Sequence, residues 1–157
     1  MKMEFTEWKE GQLVITSDIV QDAKRAFEQN EWFGAYARIH VMIEFWMQQI
    51  YELDYSQKNK MHELVEKLNN NYFYGYRQLI RDTTRMGYIT EGESQRLSEW
   101  RKLRNRIFHR LIKYSYQTAH YNVVKKEELI RGFEEGLALE ELVRERVQQI
   151  FLRFSVG

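Results

Sequence analysis

The stretch from Thr90 to Leu111, TEGESQRLSEWRKLRNRIFHRL, predicts a long helix that carries the most distinctive residues of the chain. Thr90 and Glu93 have the Thr-x-x-Glu spacing of a capping box, a pattern that begins helices. The apolar side chains after it recur every three or four residues along one side: Leu97, Trp100, Leu103, Ile107, Phe108 and Leu111. The pattern indicates a helix that buries one face.

The rest of the chain also predicts helices, and its 157 residues contain no proline to break them. We expect a first helix from Ser17 or Asp18 to about Asn30, and a central buried one from Glu31 to about Leu53. The other expected helices are a short one with Leu64, Val65 and Leu68, one from Tyr76 to Met86 that ends near Gly87, and a last one from about Lys126 to Phe154. The sequence thus predicts an all-α fold, with residues 1–157 forming a single bundle of four to six helices.

Two short β-prone runs precede helices, Leu13-Val14-Ile15-Thr16 and Tyr121-Asn122-Val123-Val124. They are expected either to pair as a minor two-stranded ribbon or to remain coil.

Composition narrows the classes of function. The formal net charge is +1, so any nucleic-acid contact has to rest on a local basic patch. Cysteine is absent, which excludes disulfides, thiolate catalysis and cysteine-ligated zinc. The N-terminal residues lack a secretory signal pattern and the apolar runs are too short to span a bilayer, so we expect a cytoplasmic location and no membrane contact.

Within the motif helix, Arg101, Asn105 and His109 form a stripe along one face, each roughly 40° from the next. Arg104 is displaced from this stripe towards the apolar side chains. A guanidinium there is costly unless it meets an anionic partner or an interface. Glu44 on the second helix is a candidate partner that would support Arg104. If two copies of the helix met across a two-fold axis, both sets of polar residues would line one cleft.

Arg104-Asn105, three further residues and His109 resemble the Arg-polar-xxx-His signature of HEPN domains. Three supporting stretches, at 37–44, 61–68 and 86–93, resemble the second helix, the third segment and the turn before the motif helix of that family. The resemblance implies a metal-independent ribonuclease that acts as a homodimer. It places Arg104 and His109 in the shared cleft, with Asn105 positioning them.

The chemistry of these side chains suits RNA cleavage without a metal or cofactor. Histidine titrates near neutral pH, so one His109 can accept the 2′-hydroxyl proton while another protonates the leaving 5′-oxygen. The fixed charge of Arg104 can hold the scissile phosphate and stabilise the transition state.

The resemblance also suggests a toxin or defence element controlled by an antitoxin or another regulatory protein. HEPN toxins paired with nucleotidyltransferase-type antitoxins often have a tyrosine two residues after the histidine, and this chain has Leu111 there. Two alternatives to a ribonuclease remain open. One is a non-catalytic HEPN module that binds nucleic acid, nucleotide or a partner protein, and the other is a purely structural helical dimer.

Further residues are candidates for RNA contact. A basic band on the motif helix can track phosphates or be an ordinary solvated face: Arg101, Lys102, Arg106, Arg110 and Lys113. The aromatic run from Tyr72 to Tyr76 and the tyrosines 114, 116 and 121 can stack on bases or fill a core or interface. His40 and Glu44, four residues apart, can share a metal or form a buried polar pair, and we favour the pair.

Overall fold

The computed structural model describes residues 5–9, 12–15, 18–69, 75–116 and 124–155. In this part of the chain the fold is an all-α bundle, as the sequence predicts. The six helices of the described residues are α1 (Ile19–Glu28), α2 (Trp32–Gln57), α3 (Met61–Asn69), α4 (Tyr76–Arg85), α5 (Glu91–Tyr116) and α6 (Lys126–Ser155).

Local chemistry sets several helix ends. The Asp18 carboxylate accepts the backbone N–H groups of Val20 and Gln21 and caps α1. The predicted capping box begins α5: the Thr90 N–H donates to the Glu93 carboxylate across 2.8 Å, and the Glu93 N–H donates to the Thr90 hydroxyl across 3.2 Å. Gly87, with φ of 82°, lets the chain turn back after α4.

Helix α2 is the centre of the bundle and packs against each of the other helices. Its buried side chains include Tyr36, Ile39, Ile43, Met47 and Ile50. The Tyr36 hydroxyl donates to the Leu129 carbonyl of α6 across 2.6 Å. Helix α2 continues to Gln57, four residues beyond the expected end at Leu53, because Asp54 and Tyr55 are still on its buried side.

Helix α5 is fixed against α6 by Trp100. Its indole N–H donates to the Gly132 carbonyl across 2.8 Å, and the ring is almost fully buried. A Cβ at Gly136 would lie 2.8 Å from this indole, so only glycine leaves room for it. This close approach sets the rotation of α5 about its axis and therefore the direction in which its polar side chains point.

The minor ribbon is present, but one predicted strand has a different partner. Strand β2 (Gln12–Ile15), which contains Leu13, Val14 and Ile15, pairs antiparallel with β1 (Phe5–Lys9). The predicted pairing of this strand with Tyr121–Val124 is therefore wrong. Val124 has no regular secondary structure, and residues 121–123 lie outside the described part. Only two residues separate β1 from β2, so closing this hairpin restricts far less chain than a pairing across the bundle.

Candidate active site at the junction of α2, α4 and α5

Arg104 is half-buried on α5 and faces α2. Its guanidinium carbon lies 5.4 Å from the centroid of the Phe108 ring, and that ring packs against Phe33 of α2 with centroids 4.3 Å apart. Burial lowers the pKa of Arg104, whereas Tyr76 and Glu44 raise it. Because a guanidinium remains protonated in proteins, Arg104 is a fixed cation in a partly apolar setting.

The sequence suggested Glu44 as an anionic partner of Arg104, and the two residues lie on neighbouring helices without an ion pair between them within 4 Å. Burial raises the pKa of Glu44, and the charge of Arg104 lowers it. The two residues are therefore close enough on neighbouring helices for their charges to interact. This interaction offsets part of the cost of holding Arg104 away from water.

His40 lies one turn before Glu44, with its Nε2 atom 3.7 Å from the carboxylate. Burial and then the charge of Arg104 lower the pKa of His40 to about 4. His40 is therefore neutral at neutral pH, and the two residues form a polar pair rather than an ion pair. Within the described ranges no cluster of three or more His, Asp or Glu side chains is placed to hold a metal.

Tyr76, the first residue of α4, completes this junction. Its ring stacks on His40 with centroids 4.8 Å apart, and burial raises its pKa, with Arg104 acting in the opposite direction. Four buried polar atoms in this region lack a hydrogen-bond partner among the described residues: His40 Nδ1, Tyr76 Oη, Arg101 Nε and Arg104 Nε. Such atoms are costly to bury, and their concentration at one junction is typical of a functional site.

The sequence indicated Arg104 and Glu44 but not Tyr76. Tyr76 belonged to an aromatic run with several possible roles, of which residues 72–74 lie outside the described part. The available signal was its spacing from Leu79 and Ile80, which places it on the buried face of α4.

Asn105 and His109 point away from Arg104. Asn105 is half-buried and His109 is exposed. Arg104 and His109 are about 140° apart around the helix axis at about 100° per residue. Within one chain, the predicted catalytic residues therefore lie on the same helix but on different faces.

The predicted basic band is divided by the packing of α5. Arg101 turns inward to the junction and Lys102 is exposed. The Arg106 guanidinium donates to the Glu128 carboxylate of α6 across 2.7 Å, on a different side of the helix. The side chains of Arg110 and Lys113 lie outside the described part, as do those of tyrosines 114, 116 and 121.

Comparisons with known proteins give no information on function, so a function has to be inferred from the fold and this site. No family model matches the chain, and no curated protein or solved structure is significantly similar to it. Among the described helices, none combines the length and the apolar sequence needed for a bilayer crossing. The class that the structure defines is an all-α helical bundle with a half-buried arginine at a polar junction.

Proposed function

We propose that this protein is a HEPN-like, metal-independent ribonuclease that acts as a homodimer. The observation that carries the proposal is the environment of Arg104. Its guanidinium is half-buried, and the Nε atom has no hydrogen-bond partner among the described residues. An exposed histidine, His109, follows five residues later. That arrangement matches the roles that the Arg-Asn-xxx-His resemblance implies. A toxin or defence role, an antitoxin partner and a cytoplasmic location stay predictions from the sequence.

The proposed reaction is an internal transesterification. One His109 accepts the proton of the ribose 2′-hydroxyl, and the 2′-oxygen attacks the adjacent phosphorus. The bond from phosphorus to the 5′-oxygen breaks, and a second His109 protonates that oxygen. The products are a 2′,3′-cyclic phosphate and a 5′-hydroxyl. Arg104 stabilises the extra negative charge on the phosphorane-like transition state.

The proposed mechanism uses two histidines, one as base and one as acid, so it needs a second copy of the chain. Arg104 and His109 diverge by about 140° at about 100° per residue, and each chain carries only one His109. A two-fold arrangement supplies two histidines to one cleft.

A surface suited to this contact borders Arg104 on α2. Phe33, Val41 and Phe45 are 48%, 52% and 43% exposed, and Phe33 contacts the same Phe108 ring that lies beneath Arg104. Grouped exposed apolar side chains are typical of interfaces. A dimer formed through this apolar α2 face would place the Arg104 residues of both chains next to the interface.

The second candidate is a non-catalytic module that binds RNA. It is favoured by the exposure of His109, because no described side chain orients the imidazole, whereas general acid–base catalysts are normally held by a hydrogen bond. In this reading Arg104 binds phosphate and no bond is broken.

One experiment separates the two candidates. The purified protein is incubated with end-labelled single-stranded RNA and excess EDTA, and the product ends are identified. We expect cleavage that leaves 2′,3′-cyclic phosphates. Binding without cleavage supports the non-catalytic module. Cleavage that stops on chelation contradicts the metal-independent mechanism.

A further inference from the structure

A basic groove runs between α4 and α5, outside the junction described above. It has a volume of about 500 Å³, and the described residues that line it include three arginines against a single glutamate, Glu91. The lining is Arg77, Ile80, Arg81, Thr84, Arg85, Glu91, Ser94 and Ser98. The groove is therefore strongly positive although the whole chain carries a net charge of only +1.

The three arginines form a regular row. Arg77, Arg81 and Arg85 are four residues apart, so they lie on one face of α4 and span about 12 Å at about 1.5 Å per residue. All three are exposed, and none forms an ion pair with another residue in the described part of the chain. In contrast, Arg96, Arg106 and Arg146 each pair with a glutamate. Arg81 donates one long hydrogen bond, of 3.4 Å, to the neutral Gln78 side chain, and no carboxylate among the described residues neutralises the row. The row of α4 arginines can therefore bind an external anion.

Two serine hydroxyls line the α5 side of the groove, since Ser94 and Ser98 lie one turn apart on α5. Thr84 lines the α4 side, and its hydroxyl donates to the Ile80 carbonyl across 2.6 Å. Hydroxyls and arginines together are the groups that proteins use to bind phosphate oxygens. The one apolar side chain in the lining, Ile80, is only 4% exposed, so the described lining offers no platform for stacking a base.

The groove leads to the face of α5 that carries Asn105 and His109. On α5, Ser94 and Ser98 share a face with Arg101, Asn105 and His109, since all five lie within about 80° around the axis at about 100° per residue. At the opposite end of α4, Arg77 follows Tyr76, which interacts electrostatically with Arg104 and Arg101. A chain of phosphates laid along the α4 arginines would therefore continue onto the face that carries His109.

We infer that the α4–α5 groove is a binding track for the sugar–phosphate backbone of single-stranded RNA, which it guides towards Asn105 and His109. The arginines form a single row along one helix, so the groove presents one line of positive charge to one strand. Because the described lining offers arginines and hydroxyls and no base-stacking side chain, we expect binding to depend little on base sequence. The inference rests on the proposed function for the identity of the ligand, but it concerns binding and not cleavage.

The test compares two variants that lose the same charge. The groove variant is Arg77→Gln, Arg81→Gln and Arg85→Gln together. The control variant is Lys24→Gln, Arg131→Gln and Arg153→Gln, three exposed cations on α1 and α6. Circular dichroism melts establish that both variants fold. Affinity for a 12-nucleotide oligouridylate is then measured at several salt concentrations in the His109→Ala background, so that the RNA is not consumed.

We expect the groove variant to bind oligouridylate at least 10-fold more weakly, and the control less than 3-fold more weakly. Three lost phosphate contacts should reduce the slope of log affinity against log salt by about 2, because each contact on a single strand contributes about 0.7. Oligoadenylate should behave like oligouridylate. Equal losses in both variants, or polyglutamate binding as tightly as RNA, would overturn the inference.

The proposed function and the track can fail separately. If no RNA is ever cleaved but the groove variant alone loses binding, the track stands and the ribonuclease does not. If RNA is cleaved and the groove variant retains the parental kcat/KM, the ribonuclease stands and the track is wrong. If both hold, the groove variant should raise KM with little change in kcat, since these arginines lie away from the scissile bond.

Discussion

The guanidinium of Arg104 lies over the Phe108 ring one turn further along α5, with 5.4 Å from the guanidinium carbon to the ring centroid. An aromatic face attracts a cation, and the nearby Glu44 adds a second favourable interaction. Among the described residues Arg104 has no bidentate carboxylate partner, and its buried Nε has no hydrogen-bond partner. This leaves the planar fork of Arg104 able to bind a phosphate.

Arg104→Lys tests whether this fork is used. Lysine retains the charge and most of the packing but cannot form two parallel hydrogen bonds to a phosphate. We expect RNA cleavage to fall at least about 100-fold, the loss typical of removing a transition-state donor. Light scattering should report an unchanged oligomeric state. Cleavage within 3-fold of the parent would show that only the charge of Arg104 matters.

Val41→Glu tests the apolar α2 face as the dimer interface. A carboxylate buried without a partner at an interface is strongly unfavourable, so we expect dissociation into monomers at micromolar concentration and loss of cleavage. Sedimentation velocity measures the oligomeric state. Val65→Glu is a matched control, because Val65 on α3 is 50% exposed and Val41 is 52% exposed. A dimer that survives Val41→Glu but not Val65→Glu would place the interface elsewhere.

Stability in mild acid should depend on His40. Its pKa falls from 6.5 to about 4 in the folded state, so between these values the unfolded chain binds a proton that the folded chain does not. The free energy of unfolding therefore decreases as the pH falls from 6.5 towards 4. The contribution of His40 to this decrease is at most about 3 kcal/mol.

His40→Phe isolates this contribution, because it preserves the stacking on Tyr76 and removes the titration. Glu44 acts in the opposite direction, since its raised pKa makes the folded state bind protons more readily, and it is present in both proteins. Urea unfolding at pH 7 and pH 4.5 should show the larger loss of stability in the parent. Equal losses would mean that His40 is not the buried neutral base described here.

Gly136→Ala tests the contact that sets the rotation of α5. The new Cβ would lie 2.8 Å from the buried Trp100 indole, so we expect a loss of about 1–3 kcal/mol in free energy of unfolding. Gly92→Ala is the control, because its Cβ meets nothing within 4 Å in the first turn of α5 and alanine favours helix. Chemical denaturation should show destabilisation for the first variant and a slight gain for the second.

The sequence was sufficient for the helices because their signals are local. The Asp18 cap, the Thr90–Glu93 box and the turn at Gly87 each depend on residues within one helical turn. The strand pairing was harder to predict, although the hairpin is also local. Leu13–Ile15 could be recognised as a strand, but its partner at Phe5–Lys9 is more mixed in sequence and lacks a clear alternating pattern.

The candidate site was only partly predictable for a related reason. Arg104 could be recognised because a charged side chain interrupts an apolar helix face. The need for an anion to offset that charge also indicated Glu44 as a possible partner. The positions of Tyr76 and the α4 arginines near the site depend on how α4 packs beside α5. Residue spacing within either helix does not predict that packing. The sequence placed Arg106 and Arg101 in one basic band, but it gave no sign that Arg106 would pair with Glu128 on α6.

The rates of RNA cleavage by His109→Ala and Arg106→Ala, measured side by side in excess EDTA, test the central claim most directly. Arg106 forms an exposed ion pair, so its loss should alter stability by no more than about 1 kcal/mol and leave cleavage near the parental rate. His109 is exposed, so His109→Ala should fold normally and cleave roughly two to four orders of magnitude more slowly. Equal cleavage rates for the two variants would contradict the assignment of this protein as a histidine-dependent ribonuclease.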